Sequence, residues 1–375
     1  MPRKATKAAW VVVALTAAVV PFLTHTRAAA APPVPVLYVS NFNSDEVTVY
    51  DARKGTYLGI MIRGRGELRG ANGIAVGPDG DIYVAGQFSN NIVRYDGKTG
   101  RFKAVLDPEN QAGIASPQGL NFGPDGLLYA ASYDNDKIVT YNTERNAFVR
   151  PFTEIKAAAA KHMGPQGPFF GPDGSLFIGN FTGSSTMKYR GPELANQPAE
   201  RRVAGEPGAL LTTFEGVPQA LLARVGAGGS AFASGVVSLG AEVERAAEAG
   251  GAVAAAPAAA ARTQAFVYID HIDPKGFTGE VLQYTTDGKF VKEFVPFKTA
   301  GLELTGGIDI GPDKNLYVAN VKVNRQFQDE GSTIMRFDIK SGKFLNVFVP
   351  AGKGLAVPFA MCFSNRSTPV PKLAH

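Results

Sequence analysis

A tetrapeptide, "GPDG", returns at Gly77, Gly123 and Gly171 between short strand-like segments, and it predicts an all-β fold: a β-propeller of four-stranded blades. Two further observations support this. Around each copy, apolar residues alternate with period two in stretches rich in Tyr, Ile, Val and Phe. The 43 glycines and 25 prolines in 375 residues supply the tight turns that many short strands require.

The unit is clearest in "GIAVGPDGDIYVAGQFSNNIVRYDGKTGRF" (Gly73 to Phe102) and "GLNFGPDGLLYAASYDNDKIVTYNTERNAF" (Gly119 to Phe148). "GIAV" is the first strand, "DIYVAG" the second and "NIVRYD" the third, and the fourth begins near Phe102. Between strands one and two, Pro sets φ near −65°, Asp suits the next position, and Gly takes a positive φ. That is a type I turn closed by a glycine bulge, which joins antiparallel strands. "DGKTG" and "DIKSG" serve the same purpose between strands three and four. Calcium is a poor reading of GPDG, because one carboxylate per unit is too few for its roughly 6–8 oxygen ligands.

Further copies begin at Gly167 and Gly306, with a front-worn copy at Phe266 and a partial one at Val36. Second strands start at Val36, Ile82, Leu128, Leu176, Phe266 and Leu316, in steps of 46, 46, 48, 90 and 50. Taking the 90 as two periods gives seven blades; six with an insertion is the alternative. The chain enters on a second strand and ends on "GLAVPFAMCFS", which predicts that Gly354 to Phe363 completes the first blade and closes the ring, leaving no open sheet edge.

The long step is unusual in composition. After Pro218-Gln219, residues 220–263 contain no Asp, Asn, Tyr, Lys or Ile. Three readings stand: a degenerate blade, a low-complexity insertion, or an out-of-frame reading of the gene.

The ends bound location and charge. Arg3, Lys4 and Lys7 precede an apolar run from Ala8 to Leu23 and small residues to Ala31, the pattern of a cleaved signal peptide over residues 1–31. Residues 32–366 are then the propeller and 367–375 a tail. The expected location is secreted or periplasmic, or membrane-anchored if the signal is uncleaved. Cleavage leaves 34 basic against 33 acidic residues, so the basic balance of the full chain does not imply a nucleic-acid partner. No later segment is apolar enough to span a bilayer, and a monomer is expected. Cys362 is the only cysteine; it reads as a small buried residue, so packing rather than a disulfide holds the fold.

With its repeat written out, the chain resembles the NHL-type propeller repeat and the broader gluconolactonase and senescence-marker-protein class, from about Val36 to Phe363 outside the broken stretch. The streptogramin lyases share the "GPDG" turn, but with Trp in the next strand where this chain has Tyr or Phe. The motif consists of turn and core residues, so it implies fold more than function. Gluconolactonase-like enzymes hold a divalent metal in the channel. Their Asn-Gly before a "PDG" turn is matched by Asn72-Gly73, which the resemblance makes a candidate metal ligand. No carboxylate ligand matches the pattern.

Links between strands one and two, and three and four, are short and uniform, so they share one face. The variable links lie on the other face, around the channel, where ligand sites are generally built. Candidates there are Asn72, Gln118, Gln166 and Gln219 before first strands, and Asp134, Asp136, Asn180, His271, Asp273 and Asn320 in the other loops. His162 and His271 are the candidate catalytic bases. The expected function is an exported binding module for a protein, peptide or glycan, with no certain cofactor. The alternative is a lactonase- or lyase-like enzyme working in the channel, with a divalent metal as its cofactor.

Overall fold

The computed structural model describes residues 35–155, 162–183, 185–193, 206–214, 235–238, 265–273 and 278–364, with only the backbone for 235–238, Asp273 and Thr278. The expected signal peptide and the C-terminal tail from residue 367 lie outside the described residues.

Six four-stranded antiparallel sheets make up the ring. Blade 1 combines β1 (Val36–Asn41), β2 (Glu46–Asp51) and β3 (Tyr57–Arg63) with the last strand, β24 (Pro358–Ser364). Blade 2 is β4 (Ala71–Val76), β5 (Ile82–Gly86), β6 (Asn91–Tyr95) and β7 (Phe102–Leu106). Blade 3 is β8 (Pro117–Phe122), β9 (Leu128–Ser132), β10 (Lys137–Asn142) and β11 (Ala147–Glu154). Blade 4 is β12 (Pro165–Phe170), β13 (Leu176–Asn180), β14 (Ser185–Tyr189) and β15 (Leu210–Thr213). Blade 5 is β16 (Gly235–Ser238), β17 (Phe266–Asp273), β18 (Thr278–Thr285) and β19 (Phe290–Val295). Blade 6 is β20 (Leu304–Ile310), β21 (Leu316–Val321), β22 (Thr333–Phe337) and β23 (Phe344–Val349). The first strands touch in the cyclic order β24, β4, β8, β12, β16, β20, so the C-terminal strand closes the ring as expected.

The seven-blade count is corrected to six. Among the described residues the step of 90 holds no further sheet; β13 and β17 are the second strands of adjacent blades. Its extra length falls in three links, β14 to β15, β15 to β16 and β16 to β17. A period counts residues, not strands, so three long links imitate a missing blade. β16 falls inside the compositionally odd segment 220–263, and the rest of that segment lies outside the described residues. Two of these links, β14 to β15 and β16 to β17, break the expected rule that strand-one-to-two and strand-three-to-four connections are uniformly short.

Six apolar layers fill the gaps between neighbouring blades. Leu128, Ala130, Val139 and Tyr141 of blade 3, for instance, pack on Tyr83, Ala85 and Ile92 of blade 2. This follows from the two-residue period: each sheet is apolar on both faces because both are covered.

The GPDG turn acts as a latch. Gly80 donates to the Gly77 carbonyl at 2.9 Å, and Gly80, Gly126 and Gly174 take φ of 86°, 81° and 77°. The aspartate then reaches sideways. Asp79 accepts from the Tyr83 hydroxyl at 2.8 Å and from Arg94 at 2.7 Å. Asp125 accepts from Tyr129 at 3.0 Å, Asp173 from Lys188 at 2.9 Å, and Asp313 from Tyr317 at 3.1 Å. Arg94 also donates to the Thr143 carbonyl, and Lys188 to the Thr286 carbonyl, each in the next blade. The repeated acid thus ties turn, second strand, third strand and neighbouring blade together. Among the described residues, no helix is long and apolar enough to cross a membrane.

Candidate functional site

The first strands line the channel, and each described one from blades 2, 3, 4 and 6 carries a bulge at the same level. Pairing slips between Ala71 and Ile74, Pro117 and Leu120, Pro165 and Pro168, and Thr305 and Ile308. The bulges hold Asn72-Gly73, Gln118-Gly119, Gln166-Gly167 and Gly306-Gly307; the irregular pairing of β24 places Phe359 at the same level. Bulges bend a strand and re-aim a side chain, and they recur beside functional sites. Glycine is needed here because neighbouring first strands meet backbone to backbone. A Cβ on Gly73 would collide with the Gln118 carbonyl, and one on Gly119 with the Gln166 carbonyl.

The result is a small cavity of about 50 Å³ at the variable-loop mouth, lined by Asn72, Gln118, Gln166, Gly306 and Phe359. Three sequence-predicted candidates therefore meet. Gln166 Nε2 donates to Gln118 Oε1 at 2.7 Å, and Asn72 Nδ2 donates to Gln87 Oε1 at 2.9 Å. Gln118 and Gln166 are more than nine-tenths buried. The other ends of these amides (Gln118 Nε2, Gln166 Oε1, Asn72 Oδ1) have no partner among the described residues. They are donors and acceptors left for a ligand.

Across from this amide arc stands an aromatic one that the sequence reading missed. Phe42 packs on Phe88 and on Phe359, each at 4.9 Å between centroids, and Phe327 lies 5.9 Å from Phe359. Phe88 is 58% exposed. Tyr133 and Phe181 continue the series at 6.4 Å. The signal was present: an aromatic follows the second strand in "SNF", "GQF", "ASY" and "GNF".

His162 also faces this side, 38% exposed, with Nδ1 3.1 Å from Asp136 Oδ1 and its ring 5.1 Å from that of Tyr133. Asp136 has a structural task as well. It takes φ of 55° at the end of its loop and accepts from Gly164 N at 2.8 Å. Asp45 and Asn90 do the same for Gly70 and Ser116 in the preceding blades. Asp134 accepts from the Ser116 hydroxyl at 2.6 Å.

Asn180, His271 and Asn320 are not at the mouth cavity. They share one repeat position near the end of a second strand, where Asn41 and Ser132 also sit, and all five are buried. Asn320 Oδ1 accepts from Glu303 N at 2.8 Å, as Asn41 Oδ1 does from Ala356 N, holding the incoming loop. His271 Nδ1 lies 2.9 Å from Glu280 Oε1 across the β17–β18 pair, with both residues buried. The Asn180 amide is buried without a partner. Gln219 and the Asp273 side chain lie outside the described residues.

Divalent metal does not fit the Asn72 position. Its neighbours in the mouth are neutral amides and a phenylalanine, whereas hard cations take several oxygen ligands including carboxylates. Among the described residues, no group of three or more His, Cys, Asp or Glu could hold a metal.

A second, larger cavity of about 370 Å³ occupies the channel on the GPDG side, with Asp309 and Cys362 in its wall. Asp309 Oδ2 accepts from Phe363 N at 3.0 Å and Oδ1 from Ile310 N at 2.8 Å. Asp309 is half-buried in the cavity wall, and desolvation there lifts its carboxyl to about 6, against the two N–H donors. Burial, aided by the charge of Asp309, pushes the Cys362 thiol up to about 12, which keeps it protonated and inert. The sequence carried a mark here too: Asp309 stands where other first strands have Ala75, Asn121 and Phe169.

No family model matches the chain, and no curated protein matches it. Solved structures do. A protein of unknown function from Bacteroides caccae is 12% identical over 88% of this chain and 99% of that one, with a TM-score of 0.56. A catalytically inactive virginiamycin B lyase from Staphylococcus aureus, solved with quinupristin, is 13% identical over 90% and 93%, with a TM-score of 0.50. A gluconolactonase from Xanthomonas campestris is 11% identical over 86% and 89%, at a TM-score of 0.45. At these identities the likeness is one of fold, and the fold is the β-propeller.

Proposed function

We propose that the chain is an exported recognition module that binds a protein, peptide or glycan at the variable-loop mouth of the channel. One observation carries this reading: bulged strands from three blades bring Asn72, Gln118 and Gln166 onto one arc, facing the aromatic arc of Phe42, Phe88, Phe327 and Phe359. Free amide groups give direction and apolar rings give contact area, the usual division of labour in ligand sites. The basic and apolar N-terminal segment supports export. Screening glycan and peptide arrays with the wild-type protein and with Gln118→Ala tests it. Hits that the variant loses by about 10-fold or more are expected. Hits that it retains in full place recognition elsewhere.

A second reading, a lactonase- or lyase-like enzyme, is favoured by the His162–Asp136 pair. Asp136 holds Nδ1, which leaves Nε2 as the acceptor a general base requires. In this reading no step passes through a metal at Asn72. Turnover of lactones or of quinupristin by the wild type, lost in a folded His162→Ala protein, would favour it. Inert substrates at high protein concentration would leave the recognition reading alone.

A further inference from the structure

We infer that the cavity on the GPDG side of the channel is a binding site for a small organic amine, with Asp309 as its counter-ion and phenylalanine rings as its apolar wall. The inference is independent of the mouth. The cavity holds about 370 Å³, room for a compact molecule, and the rings of Phe122, Phe170 and Phe363 stand in its wall. Among the described residues, Asp309 is the only acid there, and no Lys, Arg or His lines the space to neutralise it. Its two hydrogen bonds come from neutral backbone N–H groups. A carboxylate has about four lone-pair sites, so about two remain for a ligand.

A charge in a low-dielectric recess is costly unless paired. Among cations, a divalent metal wants more oxygen ligands than one carboxylate. A primary ammonium wants one counter-ion and tolerates aromatic faces, which attract it through the ring quadrupole. The residues lining the cavity from β4, β8 and β12 carry no titratable group, the sequence of β16 contains none, and the Cys362 thiol on β24 stays neutral. Among the described residues, Asp309 alone therefore sets the pH response of the cavity.

The probes are benzylamine and its neutral counterpart benzyl alcohol, titrated in amine-free buffer by calorimetry. The backbone amide resonances of Ile310 and Phe363 locate the site. Benzylamine is expected to bind at least about 10-fold tighter than the alcohol near pH 7.5, and to lose that advantage near pH 4.5, where Asp309 is protonated. Asp309→Asn should lose it at both pH values. Alcohol binding as tight as amine binding overturns the proposal, as does unchanged amine affinity in a folded Asp309→Asn protein. Failure of the two amide resonances to shift saturably at millimolar benzylamine overturns it as well, and the pH arm uses the wild type alone.

Discussion

On the GPDG face, Asp79, Asp125, Asp173 and Asp313 stand at one repeat position, and each accepts from a neighbouring strand of its blade, three from a tyrosine hydroxyl and Asp173 from Lys188. On the opposite face, the residues at the level of Asn72 change around the ring, from Asn and Gln to Gly and Phe. The first face repeats because every blade needs the same brace. On the proposed reading, the second differs because a ligand is not six-fold symmetric. In a repeat protein, sameness therefore marks stability and departure from the repeat marks the site. Asp309 makes the point most sharply: it is an acid where its counterparts are neutral, and it faces the channel.

The seam where neighbouring first strands meet belongs to both regions, and the largest effect is expected there. Gly119→Val would drive its Cβ into the Gln166 carbonyl and the Gly167 backbone, which cannot move without separating blades 3 and 4. A loss of about 3–5 kcal/mol is expected in denaturant melts, or failure to fold. A variant that melts like the wild type would break the claim that glycine sets the blade spacing.

Arg94→Ala tests the latch. Arg94 bonds Asp79 and Asp81 at 2.7 and 2.6 Å and braces blade 3 through Thr143. Its removal leaves Asp81 facing Lys103 alone and should cost about 2 kcal/mol, without changing ligand binding at the mouth. Desolvation pulls the Asp81 carboxyl up, but Lys103 and Arg94 outweigh it and hold it below the usual range. A depressed folded-state pKa means stability present above the unfolded value and lost as pH falls through the folded one. The cost of Arg94→Ala should therefore shrink in acid below about pH 4.

Asp309 has the opposite sign. Its folded-state value, raised to about 6, gives stability that is full below the unfolded value near 4 and lost as pH rises through 6. Asp309→Asn should raise stability by about 1–2 kcal/mol near pH 8 and change it little near pH 4, as thermal melts at the two pH values will report. A uniform shift at both would mean that the carboxyl is not perturbed by its site.

Much of this was legible in the residues. Turn chemistry and period-two patterning located the GPDG hairpins and the closing strand, because Pro, Asp and Gly act locally. The blade count failed where length replaced chemistry: three long links, β14 to β15, β15 to β16 and β16 to β17, read as one blade. Of the mouth, Asn72, Gln118 and Gln166 were legible because the bulge repeats beside them. The residues do not separate Asn180, His271 and Asn320 from them, because a polar residue ending a second strand looks the same whether it faces a ligand or holds a loop. Which it does depends on the incoming strand of the same blade, as with Asn320 and Glu303 N, and that contact is invisible to local reading.

The smallest stability effect is expected at the most exposed part of the mouth, and it separates the two regions most cleanly. Phe88 is 58% exposed and touches Phe42 at 4.9 Å, so it buries little area on folding. Phe88→Ala should therefore change stability by no more than about 0.5 kcal/mol. If the aromatic arc is the apolar half of a recognition site, the same change should weaken ligand binding by about 10-fold, because a ligand would bury what folding leaves open. Stability and affinity then come apart in one variant, the reverse of Arg94→Ala. Equal and small effects on both would reduce the aromatic arc to surface packing. A large loss of stability would make Phe88 part of the core, and the division between a bracing face and a recognising face would fail at its outermost residue.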